Sequence, residues 1–273
     1  MTQTVTGSLA IALYLLSSLL LGKRLFSTQT PATGRSVLGK TQIIAIGLVA
    51  VVLHAVTLSH NLFVPEGLNI GFFNAVSLIT CLIALLLLLA SLGNPVENLG
   101  VFLLPVAALA ILGDMVFSAP HTLMIAEAME LKLHILMSVL AYSLLSIAAV
   151  HAVLLAVQDR HLRNKRPGGF IRALPPLQTM ESLLFQMIAL GLILLTLSLI
   201  SGAIYIEDMF AQHIVHKTIL SIIAWVVFAT LLWGRWRFGW RGSVAIRWTL
   251  SGFFVLLLAY VGSKWVLEVI LHR

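Results

Sequence analysis

Charged residues are scarce in this chain. Asp, Glu, Lys and Arg make up 10% of its 273 residues, against 60% hydrophobic residues, and the mean hydropathy is +1.04. A soluble domain carries about 25% charged residues, so the composition excludes a soluble globular protein. It predicts a protein that lies almost entirely within a lipid bilayer. Lipid is therefore one of its expected partners.

Several reactive features are also missing. The chain has one cysteine, Cys81, which lies in an apolar run, so neither an internal disulfide nor a cysteine-based metal site is possible. The sequence contains no phosphate-binding loop, no H-E-x-x-H motif and no nucleophile elbow. We therefore expect no catalytic activity from this chain.

Long apolar segments take up most of the sequence. A helix needs about 20 apolar residues to cross a bilayer, and eight segments meet this requirement. They predict an all-α polytopic membrane protein with a single transmembrane domain over residues 1–273. The predicted spans are residues 8–26, 41–60, 69–92, 99–117, 131–157, 182–206, 212–233 and 249–271. The proline-rich loop between spans five and six marks the expected internal seam of that domain.

Basic residues predict the orientation of the spans. The net charge of +7 comes from Lys and Arg that flank the spans, so it indicates topology and not a nucleic-acid partner. Thirteen of the seventeen lie between spans one and two, five and six, or seven and eight. The positive-inside rule makes those loops cytoplasmic. With the first segment read as a retained span, both termini are expected to be periplasmic, in a bacterial inner membrane.

Histidine is the informative residue type that is present. The chain has nine histidines, and several lie in apolar runs or at their ends. An unpaired polar group is unfavourable in hydrocarbon, and neutral imidazole is the commonest protein ligand for metals. The predicted topology puts seven of them on the outer side or in the outer half of the membrane: His54, His60, His121, His134, His213, His216 and His272.

Two interpretations of these histidines remain open. His213 and His216 are three residues apart, so they share one face of a helix and could direct two imidazoles towards one pocket. A single intramembrane histidine can instead form a hydrogen bond with a neighbouring helix, which contributes on the order of 1 kcal/mol. His54 is open to both interpretations.

Three stretches of the second half carry recognisable motifs. The first runs from Leu133-His134-Ile135 to Leu140-Ala141-Tyr142, the second is Ser201-Gly202-Ala203, and the third runs from His216-Lys217-Thr218 to Ala224-Trp225, followed by Phe238-Gly239-Trp240-Arg241-Gly242. Together they resemble the cytochrome c assembly family of haem-handling membrane proteins, over about residues 131–265 and in the family's order. The family's tryptophan-rich loop is replaced by residues 206–215, which contain no tryptophan. In this the chain is similar to the branch of YpjD-like and HemX-like proteins.

The resemblance implies a haem-binding protein involved in cytochrome c assembly. It implies non-covalent haem b near the outer face, with His134 and His216 as axial ligands of the iron and His213, His54 and His272 as further cofactor-binding candidates. His134 matches the family's first outer-face ligand, and His272 matches the second only across a gap. Lys217 or Lys264 would face the propionates. Other cytochrome c assembly or membrane proteins are the implied protein partners.

Two other functions are compatible with the sequence. One is a regulatory or scaffold membrane protein that keeps the family's helices without haem and modulates a partner. The other is a small-molecule transporter in which His54 and a Lys264–Glu268 pair line a path. The absence of inverted repeats weighs against the transporter.

Overall fold

Eight long helices form the protein. The computed structural model describes residues 2–27, 38–64, 67–69, 71–117, 122–123, 129–164, 174–205 and 215–262. Within these ranges, eight helices are long and apolar enough to cross a membrane, which confirms the predicted all-α membrane architecture. They are α1 Thr2–Ser27, α2 Lys40–Leu62, α3 Phe72–Gly93, α4 Gly100–Phe117, α5 Met129–Arg163, α6 Leu177–Tyr205, α7 Val215–Phe238 and α8 Ser243–Leu257.

The helix ends coincide with residues that disfavour helix. Asn94 and Pro95 follow α3, and its last turn closes with a hydrogen bond from Asn94 N to Ala90 O. A 3-10 turn, Glu97–Leu99, leads into α4, which contains Pro105 in its second turn. Proline leaves the carbonyl oxygen of Val101, four residues earlier, without its helical N–H donor, and Ser18 Oγ of α1 donates to that oxygen at 3.0 Å instead.

The chain divides into two compact units. The first comprises Met1–Met124 and Lys165–Pro175, with helices α1–α4, and the second comprises Ile125–Asn164 and Pro176–Arg273, with helices α5–α8. The expected seam between spans five and six was wrong, because α5 belongs with α6. Four hydrogen-bonded residue pairs join α5 to α6: His134–Ser198, His134–Ser201, Ser138–Ser198 and His151–Met180. That one domain holds all eight spans stays a prediction.

A ladder of polar side chains joins α1 to α2 in the first unit. Its rungs are Gln3 Nε2 to Asn61 Oδ1 at 2.6 Å, Thr57 Oγ1 to Thr6 Oγ1 at 2.9 Å, and Tyr14 Oη to His54 Nδ1 at 3.3 Å. Residue numbers rise along α1 as they fall along α2, so the two helices are antiparallel. Asp114 of α4 is buried and extends the ladder, because its Oδ2 accepts a hydrogen bond from Asn61 Nδ2 at 3.1 Å.

A small antiparallel sheet accompanies these helices. Its strands are β1 Phe63–Val64, β2 Gly67–Asn69 and β3 Thr122–Leu123, and Leu68 pairs with both Phe63 and Leu123. The sequence did not predict this sheet, because strands of two or three residues are too short to show an alternating pattern.

The second unit closes around α5. On one side Ser138 Oγ lies 2.7 Å from Ser198 Oγ of α6, and on another the Tyr142 ring packs on Phe253 of α8 with centroids 5.9 Å apart. α7 is tied to α6 by a hydrogen bond from Trp225 Nε1 to Thr196 Oγ1 at 2.8 Å. Buried apolar side chains fill the space between these contacts.

The turn from α7 to α8 lies at the arginine-rich end of the second unit. Gly239 and Gly242 both have positive φ, 67° and 54°, a conformation that favours glycine. The buried carboxylate of Glu181 accepts hydrogen bonds from Arg241 Nε at 3.0 Å and from Gly242 N at 2.8 Å. This contact fixes the turn on the first residues of α6.

Candidate functional site

A cavity of about 200 Å³ lies among the four helices of the second unit. Its wall comes from the amino-terminal turns of α5 and α7 and from the carboxyl-terminal turns of α6 and α8, which is the end opposite to the arginine-rich turn. The lining residues are His134, Ser138, Tyr142, Leu195, Ser198, Leu199, Gly202, Lys217, Thr218, Ser221, Leu256, Ala259 and Tyr260. Most of this wall is apolar, and its polar groups are a histidine, a lysine and several hydroxyls.

His134 is held by α6 through one ring nitrogen. Its Nδ1 lies 3.0 Å from the carbonyl oxygen of Ser198 and 3.0 Å from Oγ of Ser201. The carbonyl oxygen can only accept a hydrogen bond, so Nδ1 must carry a proton. In neutral imidazole the lone pair is then on Nε2, the nitrogen for which the described residues provide no hydrogen-bond partner.

This arrangement is the usual one for a metal-binding histidine. Such residues donate the N–H that is not used for the metal to a backbone carbonyl or a carboxylate, which fixes the tautomer and the ring orientation. His134 therefore has a half-buried ring on the cavity wall and one nitrogen chemically suited to bind a metal ion.

A glycine lets the ring approach α6 closely. A Cβ atom on Gly202 would lie 3.1 Å from Cε1 of His134, which is tighter than normal van der Waals contact. Ser138 adds a second link one turn along α5: its hydroxyl donates to His134 O at 2.7 Å and contacts Ser198 Oγ at 2.7 Å. The imidazole is thus positioned by backbone and hydroxyl groups on both helices.

Aromatic and cationic groups complete the wall. The Tyr142 and Tyr260 rings pack with centroids 5.5 Å apart, and Lys217 of α7 is the cavity's basic residue. Tyr260 lies in a π-helical turn, Leu258–Gly262, that extends α8. Such turns occur frequently at functional sites because they redirect side chains.

The other predicted site residues lie elsewhere or are not described. His216 is the second residue of α7, next to Lys217, and its side chain is outside the described part of the chain. His213 and His272 lie outside the described residues, as do Lys264 and Glu268. The structure therefore brings together His134 and Lys217 from the predicted set.

His54 has a different environment, in the first unit. Its ring is 0% exposed, Nδ1 pairs with Tyr14 Oη and Nε2 lies 2.9 Å from Ser77 Oγ. Both nitrogens are occupied, which favours the interpretation of His54 as an interhelical hydrogen-bonding residue. His151 of α5 differs, because its Nε2 donates to the carbonyl oxygen of Met180 at 2.9 Å, whereas its buried Nδ1 has no hydrogen-bond partner among the described residues.

Sequence reasoning did not identify Ser138 and Ser198 as parts of the site. Both are hydroxyl residues within apolar helices, where serine is common and forms hydrogen bonds to its own helix. The signal in the sequence was their closeness to the family motifs: Ser138 lies one turn after His134, and Ser198 lies three residues before Ser201. The pairing itself depends on how α5 and α6 face each other.

The fold and the cavity together define a polytopic membrane protein with an amphipathic site at one end of a four-helix unit. The chain belongs to the family described as Cytochrome C assembly protein, which matches residues 43–271. This confirms the predicted family.

Individual relatives agree with this assignment. The chain is 34% identical over 230 residues to the inner membrane protein YpjD of Escherichia coli. The matched region covers 82% of this chain and 85% of YpjD. It is 23% identical over 236 residues to the protein HemX of Brevibacillus brevis, with the same two shares. It is 31% identical over 117 residues to the cytochrome c biogenesis protein CcsA of Prochlorococcus marinus, covering 42% of this chain and 36% of CcsA. No solved structure gives a significant match.

Proposed function

We propose that this chain binds haem b non-covalently at the cavity of the second unit and handles it during cytochrome c assembly. The observation that carries the proposal is the tautomer of His134, whose Nδ1–H is committed to Ser198 and Ser201 and whose Nε2 is left for an iron ion. Family membership and the name of the CcsA relative add support. In this role the protein would bind or move haem and make no covalent bond itself.

The residues of the cavity fit the chemistry of haem. Haem requires an axial nitrogen, apolar surface for its ring and a cation for its propionates. His134 offers the nitrogen, Leu195, Leu199 and Leu256 offer apolar surface, and Lys217 offers the cation. The cavity is smaller than the roughly 300–1,000 Å³ typical of sites that enclose a whole ligand, so these residues would hold one part of the macrocycle.

His216 is our candidate for the second axial ligand. It lies next to the cavity-lining Lys217, on the helix that faces α5 and α6 across the cavity. His213 and His272 remain alternative ligands on sequence grounds. His54 is left out of the proposed site, because both of its ring nitrogens already have partners.

Absorption spectroscopy of the purified protein tests the proposal. We expect a Soret band and, after reduction with dithionite, sharp α and β bands, with haem quantified as the pyridine haemochrome. His134→Ala should abolish most of the bound haem. His161→Ala, on the exposed far end of α5, is the matched control and should retain it. A protein that is colourless and takes up no added haem would overturn the proposal.

Localisation is part of the same proposal. We propose a bacterial inner membrane with both termini on the periplasmic side, which puts the cavity at the periplasmic end of the second unit. The arginine-rich turn at the opposite end supports this orientation through the positive-inside rule. The name of the Escherichia coli relative supports the inner membrane.

A second candidate function rests on the tryptophan-free residues 206–215. A member of the family without the loop that presents haem could regulate a partner membrane protein through its helices alone. In that case the purified protein would lack haem, and partner proteins would be recovered by crosslinking and affinity purification of the full chain from its own membrane. The absorption spectrum separates the two candidates.

A further inference from the structure

We propose that Ser201 and the carbonyl group of Ser198 are positioning residues that keep the proton of His134 on Nδ1 and so leave Nε2 as the metal-binding nitrogen. The consequence of this tautomer for haem binding rests on the proposed function. The tautomer itself is a property of the haem-free protein, so the two can be tested separately.

The protons of the three groups can be assigned. Ser201 donates its single hydroxyl proton to the carbonyl oxygen of Ser198 at 2.9 Å, so it cannot also donate to His134. Its oxygen can therefore only accept from Nδ1 at 3.0 Å. The carbonyl oxygen of Ser198 also accepts from Nδ1. Both contacts require the same tautomer, with one N–H shared between two acceptors.

A second set of hydrogen bonds fixes the helices that carry these groups. Ser138 donates its proton to His134 O, so the proton in the 2.7 Å contact between Ser138 and Ser198 comes from Ser198. Ser198 thus contributes its carbonyl to the ring and its hydroxyl to α5. The register of α5 against α6 and the tautomer of the imidazole depend on the same residue.

Gly202 determines the orientation of the ring. Any side chain here would bring a Cβ to 3.1 Å from Cε1 and 3.5 Å from Nδ1 of His134. Gly202→Ala should push the ring away from α6 and lengthen both contacts to Nδ1. This variant alters orientation without removing an acceptor, whereas Ser201→Ala removes an acceptor without adding volume.

The hydrogen bonds also influence a bound metal. An Nδ1–H that donates to an oxygen makes the imidazole a stronger electron donor at Nε2, which stabilises the more oxidised ion. Removing one acceptor should therefore raise the midpoint potential of bound haem. A purely structural serine would leave that potential unchanged in the folded, haem-loaded protein.

The primary test is ¹⁵N NMR of haem-free, ¹⁵N-histidine-labelled protein in detergent, with the His134 signals identified by their absence in His134→Ala. We expect the Nδ1–H tautomer in the wild type and a shift of about fivefold towards the Nε2–H tautomer in Ser201→Ala, the effect of one lost hydrogen bond. Ser201→Thr keeps the hydroxyl and should restore the wild-type pattern. Ser182→Ala, at an exposed position near the other end of α6, is the control and should match the wild type.

Each outcome is decisive for the inference. An Nε2–H tautomer in the wild type, or identical spectra for Ser201→Ala and Ser182→Ala, would overturn it, whether or not haem binds. If haem is bound, Ser201→Ala should raise its midpoint potential, and Gly202→Ala should weaken haem binding about tenfold. If the wild type holds the expected tautomer but binds no haem, the proposed function fails and the positioning role of the two serines stands.

Discussion

Nε2 of His54 lies 2.9 Å from Oγ of Ser77, in the interior of the first unit. With Tyr14 on the other nitrogen, this imidazole connects three helices. Replacing it leaves two buried hydroxyl groups without their partner.

We therefore predict that His54→Ala lowers the free energy of unfolding by about 2 kcal/mol and leaves haem content per folded protein unchanged. Thermal unfolding in detergent and the pyridine haemochrome measure the two effects. Ser77→Ala is the matched variant, and it should be destabilised less because it removes one partner and not the central group. Loss of haem from His54→Ala at unchanged stability would show instead that His54 is a ligand.

Lys217 should contribute to binding haem. A hydrogen bond to a charged group contributes about 1.5–3 kcal/mol, so Lys217→Met should weaken haem binding at least tenfold. The measurement is titration of haem-free protein with haem, followed at the Soret band. Lys132→Met, at an exposed position of α5, is the control, and equal affinities for the two variants would contradict a role for Lys217 at the propionates.

The orientation of the second unit can be tested by labelling. In a Cys81→Ala background, Glu130→Cys marks the start of α5 and Ser243→Cys marks the start of α8, both at exposed positions. We expect a membrane-impermeant maleimide to label Glu130→Cys in intact spheroplasts and to label Ser243→Cys only after permeabilisation. The reverse pattern would contradict periplasmic termini.

Glu181 should stabilise the turn between α7 and α8. Its carboxylate serves both Arg241 and the backbone N–H of Gly242, and its side chain is 4% exposed whereas that of Arg241 is 54% exposed. Glu181→Ala leaves the arginine free to be hydrated, so we expect a loss of about 2 kcal/mol, mainly from the unpaired N–H of Gly242. Arg241→Ala, which keeps that backbone contact, should cost less, and a larger loss for Arg241→Ala would contradict this assignment.

Gly234 should not tolerate a side chain. A Cβ at this position would clash with the Trp240 ring, and that ring also packs on Trp248 with centroids 5.4 Å apart. We predict that Gly234→Ala destabilises the protein by about 1–3 kcal/mol because the aromatic rings must shift. Intrinsic fluorescence and thermal unfolding measure the change.

Gly22 is the control for this prediction. It lies in α1, and no atom of another described part of the chain lies within 4 Å of an added Cβ, so Gly22→Ala should be neutral or stabilise the protein by up to about 1 kcal/mol. Equal effects of Gly234→Ala and Gly22→Ala on stability would contradict a specific clash with Trp240, because helix propensity alone favours alanine over glycine at both positions.

The sequence by itself determined the class of protein and the number of spans. Apolar runs of about 20 residues must satisfy their backbone groups internally in lipid, so they form helices whatever their neighbours are. The motifs around His134 and Lys217 were sufficient to predict the family, because these motifs are local in the sequence.

Only the tertiary structure decided which histidine could serve as a ligand. His54 and His134 are both single histidines in apolar runs, and no local pattern separates them. The difference arises from neighbouring helices: Tyr14 and Ser77 occupy both nitrogens of His54, whereas α6 occupies one nitrogen of His134. Hydrogen bonds between helices depend on their packing and register, and residues 64 and 67 positions apart along the chain meet at His134 only after α5 and α6 have packed together.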